Sequence, residues 1–160
     1  MVSDFTLVNQ KGEETRLSDL QGKLIVLSFG YTHCPDVCPI TLAQFGRVRN
    51  LLGEDAAQVQ FVFISVDGAR DTPERLAQYL PVFNADILGL TGDDAVIRTI
   101  ISEYGGEYTL NNAGGLRENY TVDHTASKFL IDANGHWRRT YGYNLAPDVI
   151  AADIQSLLAN

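Results

Sequence analysis

The stretch Leu24-Ile-Val-Leu-Ser-Phe-Gly-Tyr-Thr-His-Cys-Pro-Asp-Val-Cys-Pro39 joins an apolar run to the only two cysteines of the chain, Cys34 and Cys38. Leu24 to Phe29 is near-continuously apolar, the pattern of a strand buried on both faces rather than of an alternating, half-exposed one. A helix is predicted directly afterwards, from about Cys38 to Leu52. Pro39 fits its first turn, where a missing N–H costs nothing, and Gly53 fits its stop. Two thiols four residues apart, where a strand enters a helix, offer either a redox disulfide or a soft-metal site.

Upstream of this segment, Phe5-Thr-Leu-Val8 and Thr15-Arg-Leu17 read as short strands around the turn Asn9-Gln-Lys-Gly12. Downstream, Val59 to Val66 is a second buried strand, and Thr72-Pro73 opens a helix running to about Phe83. Asp86 to Leu90 is a short strand, and Asp93 to about Glu103 a third helix. Gly105 to Tyr120, rich in glycine and asparagine, reads as a mobile loop or hairpin. Ala126 to Asp132 and Trp137 to Tyr141 form a hairpin about Asn134-Gly135, and Pro147 to Leu158 is the closing helix. With no internal repeat or low-complexity linker, residues 1–160 read as one domain. The order of elements is that of an α/β sheet with helices on its faces. Sites in such sheets gather at the carboxyl ends of strands, and the cysteine segment lies at such an end.

Composition narrows the function. The chain is 160 residues long, 45% hydrophobic and 20% charged, which is globular and large enough to bury its own core. Its formal net charge of -8 argues against nucleic acid and anionic membrane surfaces and would suit a basic protein partner. No apolar run approaches the roughly 20 residues that span a bilayer, and Met1-Val-Ser-Asp4 leads into folded-looking sequence without a signal peptide. That beginning fits a cytosolic protein or a soluble domain trimmed of an anchor.

The chemistry of the pair follows from helix geometry. Helical positions i and i+4 lie about 6 Å apart on one face, which permits a disulfide and equally permits two sulfurs to grip one ion. Cys38 at the helix start meets the positive dipole end, which favours thiolate, whereas the intervening Asp36 opposes it. A bound copper ion reverses that penalty and makes Asp36 a favourable neighbouring anion. Two thiolates suit copper(I), and an added imidazole makes a copper(II) site possible. Structural zinc would usually want four protein ligands, and the chain has two cysteines and three histidines. The candidate third ligand is His124, directly before the strand Ala126 to Ile131. His33, beside Cys34, is a rival whose side chain should point away, and His136 follows the hairpin turn and should be exposed.

Gly30-Tyr-Thr-His-Cys-Pro-Asp-Val-Cys-Pro39, Phe63-Ile-Ser-Val-Asp67 with Arg70-Asp-Thr72, and Val122-Asp-His-Thr125 together resemble the Sco (SCO/SenC) family of copper chaperones. Gly89-Leu-Thr-Gly92 and Phe129-Leu-Ile-Asp132 extend the resemblance, which covers nearly the whole chain. It implies a thioredoxin-like fold, a central mixed sheet flanked by helices with an N-terminal β-hairpin extension. It further implies one copper ion per chain, as Cu(I) and Cu(II), on Cys34, Cys38 and His124, with Cys34 and Cys38 also able to form a redox-active disulfide. Such proteins help assemble the dinuclear copper site of cytochrome c oxidase, as metallochaperones rather than enzymes or as reductants of that site's cysteines. The implied partners are the copper-bearing subunit of the oxidase or another periplasmic copper protein, and a thiol reductase. The implied placement is monomeric, on the periplasmic side of a membrane, tethered by an anchor that this chain does not include. Gly68-Ala69 departs from the family pattern, where a proline should follow Asp67.

Around the site, Asp36 and Asp123 are candidates to support the ligands, Asp123 by orienting the imidazole. Asp67, Arg70 and Asp71 could also support it, although Asp71-Thr72 more simply caps the following helix. Tyr31 and Phe29 either wall the site from water or belong to the core. The alternative function is a thiol-disulfide oxidoreductase or redox sensor on the same fold. Redox thioredoxins use Cys-x2-Cys and a cis-proline facing it; here the spacing is Cys-x3-Cys and no proline stands at Asp123-His-Thr125. A peroxiredoxin would need proline in place of Tyr31 and threonine in place of Pro35.

Overall fold

The computed structural model describes residues 2, 4–32, 37–66, 71–83, 86–104, 108–111, 121–124, 127–142 and 146–158. Strand β3 (Leu24–Gly30) is an interior strand with all seven residues buried, as its unbroken apolar run requires. β4 (Val59–Ser65) lies parallel to it with Ser28 opposite Phe63, and β5 (Ile87–Thr91) lies parallel to β4. On the other side of β3, β8 (Lys128–Ile131) runs antiparallel with Ser28 opposite Lys128. β9 (Trp137–Tyr141) then pairs with β8 across the expected Asn134-Gly135 turn. The N-terminal hairpin of β1 (Thr6–Asn9) and β2 (Glu14–Arg16) adds to the far edge through β5, giving seven strands in the order β2-β1-β5-β4-β3-β8-β9. β6 (Tyr108–Asn111) and β7 (Thr121–His124) form a separate two-stranded antiparallel sheet.

Register assigns the helices to faces. Phe61, Phe63, Gly89, Ser28, Lys128 and Tyr141 occupy one face. Helix α1 (Val37–Leu52) packs there through Phe45, 5.2 Å from the Phe61 ring. Helix α2 (Pro73–Tyr79) lies over Gly89, where a Cβ would sit 3.4 Å from Leu76 Cδ1. Helix α4 (Pro147–Leu158) reaches the face through Asp153, which accepts a 2.8 Å hydrogen bond from the Tyr141 hydroxyl. Helix α3 (Asp94–Glu103) covers the opposite face, where Tyr104 stacks with Phe29, Phe129 and Trp137 at ring distances of 5.0–5.9 Å.

Two departures from the sequence expectations lie at the ends of elements, and the hairpin reading of the glycine-rich segment holds. The second helix keeps its form only to Tyr79 and tightens to a 3-10 turn over Leu80–Phe83, because Pro81 has no N–H to donate to the Ala77 carbonyl. The segment from Gly105 to Tyr120 contributes one arm of a hairpin, β6, whose partner is β7; residues 112–120 lie outside the described residues. The strand expected over Ala126 to Asp132 is shorter, Lys128–Ile131, with residues 125 and 126 outside those described. Helix α1 ends at Gly53 as expected, with the positive φ of 57° that glycine tolerates.

Gly46 explains how closely α1 can lie on its neighbour. A Cβ at that position would stand 2.8 Å from the backbone carbonyl oxygen of Phe83, and a backbone atom yields less readily than a side-chain tip. In an uncrowded helix, Gly→Ala stabilises by about 0.5–1 kcal/mol. Here Gly46→Ala is expected to destabilise by about 1–3 kcal/mol, read from urea unfolding; an unchanged or raised unfolding midpoint would contradict the close approach.

Candidate metal centre

The sheet brings two distant parts of the sequence to one end. β3 leaves it at Gly30, and antiparallel β8 enters it there, with Lys128 opposite Ser28. Cys38 is the second residue of α1, at the end of that helix where unpaired N–H groups and the dipole favour an anion. His124 is the last residue of β7, its backbone opposite Tyr108, four residues ahead of Lys128. Four residues span at most about 14 Å, so the backbone of His124 lies no farther than that from Lys128, the residue with which β8 enters this end of the sheet. Asp123 sits opposite Thr109 in the ribbon. Cys34, Asp36, His33, Asp67 and Arg70 lie outside the described residues. Among the described residues, no group of three or more His, Cys, Asp and Glu side chains is placed to hold a metal ion. His136 is half-exposed and 3.7 Å from Asp132, as its place after a turn suggested.

Asp71 is placed differently from its expected role. Thr72 is the N-cap of α2, accepting from the Arg75 N–H at 3.2 Å, whereas Asp71 is fully buried. Its carboxylate accepts the Thr32 N–H at 2.9 Å, the Thr32 hydroxyl, and the Ser65 hydroxyl at 2.7 Å. Thr32 Oγ1 in turn accepts from Arg75 Nε at 3.1 Å. A buried carboxylate needs such partners, because desolvating it without them costs several kcal/mol. The result ties the first residues after β3 to the end of β4 and to the start of α2. The sequence gives no sign that separates a capping aspartate from a buried one beside a cap.

Two further features frame this end of the sheet. Phe29 and Tyr31 are buried members of the core, which is the core reading of those aromatics. Lys128 is also fully buried, on the face that α1 and α4 cover, between Ser28 and Tyr141. Desolvation lowers its pKa from 10.5 to about 8. Across the sheet, burial and the bond to Asp153 push the neighbouring Tyr141 hydroxyl well above its ordinary value. Sequence reading missed this cation because a lysine heading an apolar strand is more often at the rim.

Known proteins share this architecture. A family model described as SCO1/SenC matches residues 1–159. The SCO2-like protein of Rickettsia felis is 34% identical over 147 residues, covering 92% of this chain and 72% of that protein. The structure of Bradyrhizobium japonicum ScoI with copper bound is 37% identical with a TM-score of 0.87, covering 97% of this chain and 98% of that one. Yeast Sco1 with copper bound is 30% identical with a TM-score of 0.89, covering 99% of this chain and 88% of that one. These neighbours carry the thioredoxin-like fold expected from the sequence. BsSco, described as a member of the Sco family of cytochrome c oxidase assembly proteins, is 24% identical and shares the fold with a TM-score of 0.80, covering 99% of this chain and 93% of that one.

The buried lysine sets a pH dependence. Because folding lowers its pKa, the unfolded chain holds the Lys128 proton between about pH 8 and pH 10.5 while the folded chain has released it. The unfolded state then binds more protons, and stability rises with pH across that window. Relative to Lys128→Met, the wild type is expected to gain up to about 3 kcal/mol on going from pH 8 to pH 10.5, measured by urea unfolding. A difference that stays flat with pH would show that the native lysine keeps its proton.

Proposed function

The chain belongs to the SCO1/SenC family, and from that premise we propose that it is a copper metallochaperone. It binds one copper ion through Cys34, Cys38 and His124, and assists assembly of the dinuclear copper site of cytochrome c oxidase. The observation that carries the reading is topological: β3 and α1 present the cysteine segment at the end of the sheet where β8, preceded by His124, comes in. The donor set fits the cargo. Two soft thiolates satisfy copper(I) at low coordination, and the imidazole adds the nitrogen that copper(II) prefers. The copper-bound state of the solved relatives supports the same cargo.

In this reading the reduced cysteines capture the ion from the strand-to-helix connection, helped by the dipole at the start of α1. His124 closes the site from the β6–β7 ribbon. Thiolates of the acceptor, the copper-bearing subunit of the oxidase, replace His124 first and then the sulfurs; the ion moves by ligand exchange without changing oxidation state. The metal-free pair can also reduce an acceptor disulfide. Cys34 and Cys38 then give up two electrons and two protons, forming their own S–S bond while the acceptor's opens. Asp36 and Asp123 act as anions beside the ligands, and the whole chain works as one monomeric domain on the periplasmic side of a membrane. Among the described residues no helix is long and apolar enough to cross a membrane.

The test is anaerobic titration of the reduced protein with copper(I) and copper(II), on the wild type and three variants. One equivalent is expected to bind, with a thiolate-to-copper(II) charge-transfer band. Cys34→Ala and Cys38→Ala should each lose tight binding of both ions. His124→Ala should lose the band and weaken copper(II) by at least about 100-fold, roughly 2.7 kcal/mol, while copper(I) falls far less. Stoichiometric binding retained by either cysteine variant would overturn the assignment. Oxidation of the pair without a stable complex would favour the thiol-disulfide oxidoreductase instead.

A further inference from the structure

We propose that Asp71 is the positioning residue of the cysteine segment, holding Cys34 and Cys38 at the separation that both copper capture and disulfide closure require. The inference rests on the proposed copper site for its first consequence and on the two cysteines alone for its second. The segment is anchored downstream by α1, which begins at Val37. Upstream it is anchored at Thr32, two residues before Cys34, and there the bonds are supplied by Asp71. Both Thr32 donors, the backbone N–H and the hydroxyl, end on that one carboxylate.

The anchor is stiff for reasons visible in its partners. Asp71 and Ser65 are fully buried and Thr32 is 5% exposed, so water does not compete for these bonds. Ser65, the last residue of β4, holds the carboxylate from the sheet, and the Val66 N–H bonds to the Gly30 carbonyl at 2.8 Å just below. Arg75, one turn into α2, donates to the Thr32 hydroxyl and fixes its rotamer, so that the hydroxyl proton points at Asp71. Its guanidinium also lies 5.8 Å over the Tyr79 ring, which restrains it in turn. Thr32 and Val37, the described residues on either side of Cys34, are therefore both fixed to the rest of the fold. A chain held at both ends loses less conformational freedom when its two thiols meet on one ion or in one bond.

Asp71→Asn keeps the shape while removing the charge and one acceptor; Thr32→Val removes only the hydroxyl; Thr32→Ser restores it. In dithiothreitol buffers the Cys34–Cys38 disulfide takes up two electrons and two protons as dithiothreitol closes to its cyclic disulfide. Its equilibrium constant against dithiothreitol is read for each metal-free variant by thiol labelling. Copper(I) affinity is read by competition with bathocuproine disulfonate, and urea unfolding checks that each variant is folded. Asp71→Asn is expected to make the disulfide at least tenfold easier to reduce, about 30 mV, and to weaken copper(I) at least tenfold. Thr32→Val should follow in the same direction, the double variant should be no worse than Asp71→Asn alone, and Thr32→Ser should match the wild type. A folded Asp71→Asn with wild-type values of both quantities would overturn the proposal. If that variant does not fold, wild-type values in Thr32→Val do so. Should Cys34→Ala leave copper binding intact, the copper reading fails by itself, and the disulfide equilibrium still decides the role of Asp71.

Discussion

The burial of the Asp71 carboxylate is the constraint on which the upper end of the molecule depends. An ionised carboxylate removed from water is tolerated only where donors replace the lost hydration. Here the donors come from Thr32 and Ser65, residues of two neighbouring chain segments. Charge-assisted bonds of this kind are roughly twice as strong as neutral ones, and removing the acceptor takes three such bonds away at once. The turn after β3, the end of β4 and the start of α2 must consequently move together or not at all. That rigidity sits immediately before the cysteine segment.

A second buried charge lies on the same face of the sheet. Lys128 occupies a register position between Ser28 and Tyr141, on the face of the sheet that α1 and α4 cover. The chain accepts a cation there, although burial alone drives its pKa down to about 8. The two sites bracket the end of β3, one on the β4 side and one on the β8 side. In a protein with a formal net charge of -8, that places one anion and one cation in low-dielectric surroundings beside the segment that carries the thiols. Charges in such surroundings act over longer distances than the solvated ones that make up most of the net charge.

The parts of this architecture legible in the sequence were those written as continuous apolar runs or as helix punctuation. β3, β4 and α4 stand where Leu24 to Phe29, Val59 to Val66 and Pro147 to Leu158 put them, because an unbroken apolar run has only the sheet centre to occupy. Gly53 and the Thr72-Pro73 pair punctuated helices as local rules require. What stayed hidden was pairing. Val122 to His124 read as the approach to the next strand, yet it forms a ribbon with Tyr108 to Asn111; nothing in a four-residue pattern names its partner across nine intervening residues. Asp71 and Lys128 stayed hidden for a related reason. Burial of a charged side chain is decided by tertiary neighbours, and the residue type alone argues for the surface. The motif Cys-x3-Cys with a distant histidine was visible as chemistry, whereas the residues that hold it in place were visible only as geometry.

The separation of the ribbon from the main sheet bears on how a chaperone could let go of its cargo. The cysteine segment follows β3, which is paired on both sides, with β4 and with β8, inside the seven-stranded sheet. His124 belongs to the two-stranded sheet, so its backbone ladder is to Tyr108 rather than to any strand of the main sheet. Withdrawing the histidine from an ion therefore need not break a single main-sheet hydrogen bond, whereas moving the upstream end of the thiol segment means disturbing the bonds to Asp71. Two-stranded ribbons are marginal on their own, so in the proposed site the imidazole would be the ligand with the lowest cost of displacement. The order of release in the proposed ligand exchange, nitrogen before sulfur, follows from that difference in support.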